Sequence, residues 1–381
     1  MKTIYFDYNA TTPLDAGVRA AMLPFFDEIY GNPSSVHHVG RRARSILDDA
    51  RERVAAAWLC KPSEIVFTSG GTESSNLAVF GAARALRDKG RHLITSTIEH
   101  HAVLHCFQYL KKNEGFEVTF LPANAEGLVS PDDLEKAIRP DTTLVSIMAA
   151  NNETGAVQPV ATFGKISRSH GVVFHTDAVQ SFGKEPFESI AQFNADLVSF
   201  CSHKLHGPKG SGALYVKSPL QPSPLIFGGS HENERRAGTE NIAAIIGLVE
   251  SVERFIRPPV FPRDLLFSLT NRLIAFLDTL DGVQFRGSRS ARLPNTVACT
   301  VSGADSIALL AGLDLEGVCA SSGSACSAGS LEPSHVMLAM GVKKDLANSL
   351  VRFSLGRNST LEELLLAESA FENVINRARR R

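Results

Sequence analysis

Between Ser35 and Val216 the sequence repeatedly alternates short β-branched runs with longer stretches that carry apolar residues at helical spacing. This alternation constrains the fold most, because it is typical of βαβ units around a mostly parallel sheet. We therefore predict an α/β fold. The predicted strands are Ile65–Thr68, Leu93–Ser96, Glu117–Leu121, Leu144–Met148, Val172–His175, Leu197–Phe200 and Ala213–Val216.

Helical periods and prolines divide the chain into two predicted domains. Ser35–Leu59 has the period of an amphipathic helix. Another helix runs from about Thr239 to Phe255, and the prolines at 258, 259 and 262 prevent its continuation. The remainder predicts a helix from about Arg263, strands at Thr296–Val301 and Ser349–Phe353, and a terminal helix after Thr360. We predict a large domain at residues 13–258 and a small α+β domain at residues 1–12 and 259–381.

Composition excludes several classes of function. The formal net charge of -1 supplies no field to attract nucleic acid or an anionic membrane. No apolar run approaches the roughly 20 residues that span a bilayer, and the N-terminal residues lack a signal-peptide pattern, so we expect a cytoplasmic protein. The six cysteines show no C-x-x-C spacing, which disfavours disulfides and a zinc site. We expect free thiols and no bound metal.

A glycine-rich turn follows the first strand of the large domain. Ser69-Gly70-Gly71 separates this strand from a helix that we predict to begin near Thr72. The amides and positive dipole end of a helix N-terminus attract anions, and glycine allows close approach of a phosphate. The turn lacks both the P-loop and the G-x-G-x-x-G fingerprint, which disfavours a nucleotide. Alone, it is equally compatible with a plain strand–helix turn.

Two later strands end in groups that could complete such a site. One leads into Asp177 and another into Lys204. Ligands of open parallel sheets bind beyond the carboxyl ends of the strands. Taken singly, Asp177 could cap a helix and Lys204 could lie in a surface turn. Together with the helix start, they match the phosphate, ring nitrogen and aldehyde of pyridoxal phosphate.

Ordered motifs along essentially the whole chain resemble those of one family, the pyridoxal-phosphate-dependent cysteine desulfurases of the NifS and IscS type. The motifs are FDYNATTPLD (6–15), YGNPSSVH (30–37), TSGGTESSNLA (68–78), IEHHAV (98–103), NNETG (151–155), HTDAVQS (175–181), SHKLHGPKG (202–210), GTEN (238–241), SSGSACSAGSLEPS (321–334) and VRFSLGR (351–357). The resemblance implies the aspartate aminotransferase-like fold (fold type I) of these enzymes. It also implies conversion of L-cysteine to L-alanine.

The resemblance implies roles for the residues that match the family's cofactor site. Lys204 would hold the cofactor covalently, Asp177 would pair with the ring nitrogen, and His100 would stack on the ring and move protons at the substrate thiol. Thr239 would reach a phosphate across the interface of a homodimer. The phosphate would be bound by Gly71 and Thr72 with help from Ser202 and His203, and the phenolic oxygen by Gln180 and Asn152.

For the substrate, the resemblance implies that Arg352 clamps the carboxylate, with Asn32 as a helper. Cys326, among the small residues of SSGSACSAG, would take the sulfur as a persulfide and pass it to an acceptor protein. We expect this cysteine to be exposed or far from the cofactor. The acceptor would be an iron–sulfur scaffold or a tRNA-thiolation carrier, and we expect no direct contact with nucleic acid or membrane.

One residue departs from the family pattern. The position three places before the lysine usually carries a small hydroxyl residue, and here it is Cys201. A thiol is a weaker hydrogen-bond partner for phosphate, so either Ser202 compensates or one contact is lost.

Three alternatives stay open at this point. They are a related aminotransferase and a selenocysteine lyase, which share the cofactor, and a non-catalytic sulfur carrier or iron–sulfur assembly partner. An aminotransferase has no use for Cys326, and retention of Lys204 and Asp177 argues against a non-catalytic role.

Overall fold

The computed structural model describes residues 3–323 and 332–378. Its strands are β1 (Ile4–Tyr5), β2 (Ile65–Thr68), β3 (His92–Ser96), β4 (Glu117–Leu121), β5 (Thr142–Ser146), β6 (Val173–Asp177), β7 (Leu197–Cys201), β8 (Gly212–Val216), β9 (Val283–Arg286), β10 (Thr296–Val301), β11 (Val318–Cys319) and β12 (Val351–Ser354).

The α-helices include two long amphipathic ones, near the N-terminus and at the C-terminus. They are α1 (Ala16–Met22), α2 (Pro24–Asp27), α3 (His38–Trp58), α4 (Gly71–Ala85), α5 (His101–Asn113), α6 (Pro131–Ala137), α7 (Val160–Ser169), α8 (Ile242–Phe255), α9 (Arg263–Leu277), α10 (Ser306–Leu315), α11 (His335–Ala339), α12 (Lys344–Ala347) and α13 (Leu361–Ala378). Short 3-10 turns occur at Pro62–Glu64, Ile190–Phe193, Ser202–Lys204 and His231–Glu234. No helix in the described ranges combines the length and apolar character needed to cross a membrane.

Seven strands form the large sheet in the order β2-β8-β7-β6-β5-β3-β4. All neighbours are parallel except β8, which runs antiparallel to both β2 and β7. The carboxyl ends of β5, β6 and β7 therefore meet at one edge, where ligands of such sheets bind. The predicted α/β class with a mostly parallel sheet is confirmed.

Helices cover both faces of this sheet and create separate apolar cores. On one face, Trp58 of α3 stacks on Phe182 with ring centroids 5.4 Å apart, beneath α8. On the other face, α4 and α5 bury Leu77 and Phe107 against the strands. Burial on both faces explains why β7 and β8, which are buried along their whole length, show no alternation of apolar and polar residues.

A third core belongs to the small sheet, β12-β10-β9, which is antiparallel. Helices α9 and α13 pack there around Leu273 and Phe371. The N-terminal segment joins this unit, because β1 pairs with β11 and Asp7 bridges to Ser354. The boundaries at residues 12/13 and 258/259 stay a prediction.

Candidate active site

A cavity of about 210 Å³ opens at the carboxyl ends of β6 and β7, beside the start of α4. It is lined by Asn9, Ala10, Gly71, Thr72, His100, Ala102, Met148, Ala150, Asn152, Asp177, Val179, Gln180, Cys201, His203, Lys204 and Arg352. Ten of these are residues that the sequence analysis selected. Motifs up to 343 positions apart (residues 9 and 352) therefore converge on one site.

The start of α4 forms the anion-binding side of the cavity. Its N-cap is Gly70, which makes no side-chain cap hydrogen bond, and the Gly71 amide faces the Cys201 thiol. Gly70 has φ +155, which favours glycine. A Cβ on Gly71 would lie 2.8 Å from Cγ2 of Val179, so this position is also restricted to glycine. Gly71 and Thr72 thus present backbone N–H groups to the cavity.

Asp177 supplies a carboxylate at the end of β6. Its Oδ1 accepts a hydrogen bond of 3.0 Å from the Val179 amide. Burial raises the pKa of Asp177 to about 6, although this amide and the nearby Lys204 oppose the rise. The carboxyl is therefore largely ionised at neutral pH and able to hold a proton on a ring nitrogen.

Lys204 ends the short 3-10 turn that follows β7. Its Nζ lies 2.6 Å from each of the carbonyl oxygens of Asn9 and Ala10. Both acceptors are backbone atoms of the N-terminal segment, which the fold inserts between the two sheets. The amine is thereby held at the cavity by neutral groups.

His100 is the N-cap of α5, and its Nδ1 accepts a hydrogen bond of 3.1 Å from the Ala102 amide. A nitrogen that accepts carries no proton, so we assign the proton of the neutral ring to Nε2. Burial and the charge of Lys204 lower the pKa of His100 to about 4. At neutral pH the ring is uncharged and can donate from Nε2, whereas accepting at Nδ1 requires loss of the cap bond.

Arg352 places a guanidinium at the opposite side of the cavity, on β12. The side chain is 1 % exposed, and it forms an ion pair of 2.8 Å with Asp7. It also donates, over 2.8 Å, to the carbonyl oxygen of Asn152. The Nε atom has no hydrogen-bond partner among the described residues. The group is therefore fixed in position and retains a donor for a further anion.

Of the predicted phosphate ligands around β7, some line the cavity and one does not. Cys201 and His203 line the cavity, whereas the hydroxyl of Ser202 bonds the carbonyl oxygens of Pro208 (2.5 Å) and Ser211 (3.0 Å). Burial raises the pKa of the Cys201 thiol to about 11, so it remains protonated. The structure does not bring the Ser202 hydroxyl to the cavity as a replacement for the missing family hydroxyl.

Three other predicted residues are not among the lining residues. Thr239 lines a separate pocket with Ser69 and Arg236. Asn32 is exposed, and its Oδ1 accepts from the Ser34 amide within a local turn. Cys326 lies outside the described residues, and so does the expectation about its exposure. The five described cysteines are free thiols. Within residues 3–323 and 332–378, no cluster of His, Cys, Asp and Glu is arranged to hold a metal ion.

Sequence reasoning missed the polar groups that lie beside and behind the lining. Asn9 contacts the groups around Lys204, and Lys184 is a fully buried lysine that bonds Asn9. Glu99 is fully buried directly before His100. Each of these residues lies inside or just beside a motif that was used only for the family resemblance. No local sequence pattern distinguishes a buried charged side chain from an exposed one.

The residues present fit pyridoxal phosphate on chemical grounds. An uncapped helix start suits a phosphate, a buried carboxylate suits a protonated ring nitrogen, and an accessible lysine suits an aldehyde. All three line the one cavity. Gly71 and Thr72 would hold the phosphate, Asp177 the ring nitrogen and Lys204 the aldehyde carbon.

Comparison with known proteins defines the family. The family described as "Aminotransferase class-V" matches residues 4–366. The chain therefore belongs to the class-V aminotransferases. Within that family it is 47% identical, over 99% of its length and 96% of the relative's, to "Cysteine desulfurase IscS" of Dictyoglomus turgidum.

Solved structures agree with this placement. A "NifS-like protein" has a TM-score of 0.90 and 36% identity, covering 98% of this chain and 99% of the other. "SspA in complex with cysteine" has a TM-score of 0.81 and 37% identity, covering 94% and 100%. The predicted resemblance to NifS- and IscS-type cysteine desulfurases and the predicted fold are confirmed.

Proposed function

We propose that this protein is a cysteine desulfurase that uses pyridoxal phosphate, converts L-cysteine to L-alanine and passes the sulfur to an acceptor through Cys326. The observation that carries the proposal is the single cavity in which Lys204, Asp177, the start of α4 and Arg352 meet. Similarity to cysteine desulfurases over nearly the whole chain supports it, and so does the related protein described in complex with cysteine.

Arg352 binds the substrate carboxylate in this proposal. A planar guanidinium suits a carboxylate because its parallel N–H groups bond both oxygens. Asp7 and the Asn152 carbonyl orient it before substrate arrives. Burial excludes water and strengthens the ion pair that forms.

The cofactor, when bound, withdraws electrons from the substrate Cα and so weakens the bond between the β-carbon and sulfur. Asp177 maintains that capacity by holding a proton on the ring nitrogen. Lys204 moves the proton at the substrate Cα once the substrate amine has displaced it. His100 covers the ring and donates a hydrogen bond from Nε2.

Cys326 receives the sulfur. The carbon–sulfur bond of cysteine breaks, a sulfur–sulfur bond forms on Cys326, and the carbon skeleton takes up the proton and leaves as alanine. The persulfide then transfers its outer sulfur to an acceptor protein of iron–sulfur assembly or tRNA thiolation. The protein acts in the cytoplasm as a homodimer, in which Thr239 of the partner subunit contacts the phosphate.

The test is a comparison of two variants of the purified protein. The parent should be yellow and should form alanine and sulfide from L-cysteine with a reductant. Lys204→Ala should lose the visible absorbance, whereas Cys326→Ser should keep it and lose sulfide release. The reverse pattern would overturn both assignments. Pyruvate formation from alanine and a keto acid, without sulfide, would instead indicate an aminotransferase.

A further inference from the structure

A second lysine lies directly behind the cavity wall. Lys184 has no exposed surface, and its Nζ bonds Asn9 Oδ1 over 2.7 Å and Gln180 Oε1. The Nζ also lies 5.3 Å from the centre of the Phe261 ring. Burying an amine is unfavourable unless hydrogen-bond partners replace the water that it loses. The burial of Lys184 between two amide oxygens therefore indicates a specific role for this residue.

The lysine determines which way two amide groups face. An ammonium has only N–H bonds to donate, and a neutral amine still has two, one for each amide oxygen. Gln180 must therefore direct its oxygen at Lys184 and its NH₂ group away. That NH₂ donates one hydrogen bond, of 3.1 Å, to the carbonyl oxygen of Asn9. Gln180 also lines the cavity.

Asn9 is fixed in the same way. Its Oδ1 accepts from Lys184 and from Asn295 (3.1 Å), and its Nδ2 donates to Thr296 (2.8 Å) and to the Asn152 carbonyl (3.2 Å). Every hydrogen-bonding atom of this amide has a partner of the correct polarity. The acceptor that receives the Gln180 NH₂ is consequently held by a buried network that spans both sheets.

We propose that Lys184 is a positioning residue that fixes the Gln180 amide so that its second N–H group faces the cofactor's phenolic oxygen. The inference rests on the proposed function, because it assigns the cofactor to this cavity. Gln180 is the group that touches the cofactor, and Lys184 acts through it. The charged and titratable neighbours of Lys184 are Lys204, Arg352 and Cys201.

The readout is the pH midpoint of the visible band of the cofactor-loaded protein. An N–H group donated to the phenolic oxygen stabilises its negative charge and weakens its hold on the proton that it shares with the lysine-linked nitrogen. Lys184→Met leaves Gln180 without its donor partner, so the amide loses its single orientation. We expect the midpoint to rise by roughly one pH unit, the size of one hydrogen bond to a charged group.

A double-mutant cycle separates positioning from a direct effect of charge. In a Gln180→Leu background, Lys184→Met should cause no further shift if Lys184 acts through Gln180. An equal shift in both backgrounds would overturn the proposal, and so would an unchanged midpoint in Lys184→Met with a normal band. Lys217→Met, at a partly exposed lysine that faces Asp196, is the matched control and should leave the midpoint unchanged.

A further variant keeps Lys184 and tests the same geometry if Lys184→Met does not fold. Gln180→Glu offers two acceptor oxygens, so it should raise the midpoint in the same direction. An unchanged midpoint in Gln180→Glu would overturn the proposal. Failure of the proposed function is distinguishable, because the parent protein would then either show no visible band or keep the band without releasing sulfide from L-cysteine.

Discussion

Lys204 and Lys184 both bond Asn9, but Lys204 lines the cavity, on what we call the cavity face, whereas Lys184 is buried behind the lining, in what we call the wall. Lys204, on the cavity face, donates to the backbone carbonyls of Asn9 and Ala10. Lys184, in the wall, is fully buried and donates to the side-chain oxygens of Asn9 and Gln180. These two acceptors of the first amine are thus backbone atoms, and those of the second are side-chain oxygens.

The same contrast extends to other charged groups. Arg352 on the cavity face keeps an unused Nε donor among the described residues. Glu99, buried behind the cavity, accepts from Ser96 (2.5 Å) and from the Met148 amide (3.0 Å). Arg352 is thus fixed in position but keeps a donor for a ligand, whereas Oε1 of Glu99 is occupied by groups of the protein.

The largest effect is expected from Lys204. Lys204→Ala should lower kcat/KM for L-cysteine by at least about 10³-fold, because in the proposed function the residue both holds the cofactor and moves a proton. Added methylamine should restore part of the rate, since a small amine can replace the missing proton acceptor. Lys217→Ala serves as the control. A residual rate within about tenfold of the parent would contradict the distinction between the lysines.

The next effect is expected from Arg352. Arg352→Gln should raise KM for L-cysteine by roughly 10- to 150-fold, the range that corresponds to about 1.5–3 kcal/mol for hydrogen bonding to a charged group. Arg352→Lys should raise KM less, because it keeps the charge but loses the planar fork. Steady-state kinetics check this order, with Arg289→Gln at an exposed ion pair as control. Equal KM values in all variants would remove Arg352 from the substrate site.

A pH-dependent effect on stability is expected from Glu99. Burial raises the pKa of Glu99 to about 8, against the opposing hydrogen bonds from Ser96 and Met148. Between the pKa of Glu99 in the unfolded chain and its native pKa of about 8, the native state keeps a proton on Glu99 that the unfolded chain has lost. The free energy of unfolding therefore falls as pH rises through this window.

Glu99→Gln removes this titration. Relative to the parent, the variant should gain at least about 2 kcal/mol of stability between pH 5 and pH 9. Denaturant unfolding of both proteins at each pH measures the difference. A difference that does not change with pH would show that Glu99 titrates normally.

The smallest effect is expected from Cys201. Cys201→Ser introduces the hydroxyl that relatives usually carry, and it should lower the dissociation constant for the cofactor by about fivefold, the contribution of one ordinary hydrogen bond. Cys299→Ser, at a buried thiol of the small sheet, is a control that should not change cofactor affinity. Weaker binding in Cys201→Ser would indicate that the thiol is optimal for this cavity.

Much of the cavity face could be predicted from the sequence because strand ends have local patterns. β2, β4 and β10 match the predicted bounds, whereas β5 begins and ends two residues earlier than predicted. Beyond Ser146 the chain still donates hydrogen bonds to the carbonyls of His175 and Asp177 in β6, but it is no longer part of a regular strand. A run of apolar residues in the sequence does not show where the hydrogen-bond ladder of a strand ends.

The contacts of the buried polar groups behind the cavity could not be predicted from the sequence. Lys184 and Gln180 share a turn, but their partner Asn9 is more than 170 residues away, and no periodicity links the two segments. Likewise, nothing in the sequence distinguishes the buried Ser202 hydroxyl from a phosphate ligand. These contacts depend on how the N-terminal segment is inserted between the sheets.

The most direct test of the account is a single turnover of the loaded protein with L-cysteine, followed by mass analysis of its peptides. The account predicts alanine equimolar with active sites and a mass gain of one sulfur atom on the peptide that contains Cys326. Lys204→Ala should give neither product. Alanine without sulfur on Cys326, or sulfur on another cysteine, would contradict the proposed path of the sulfur atom.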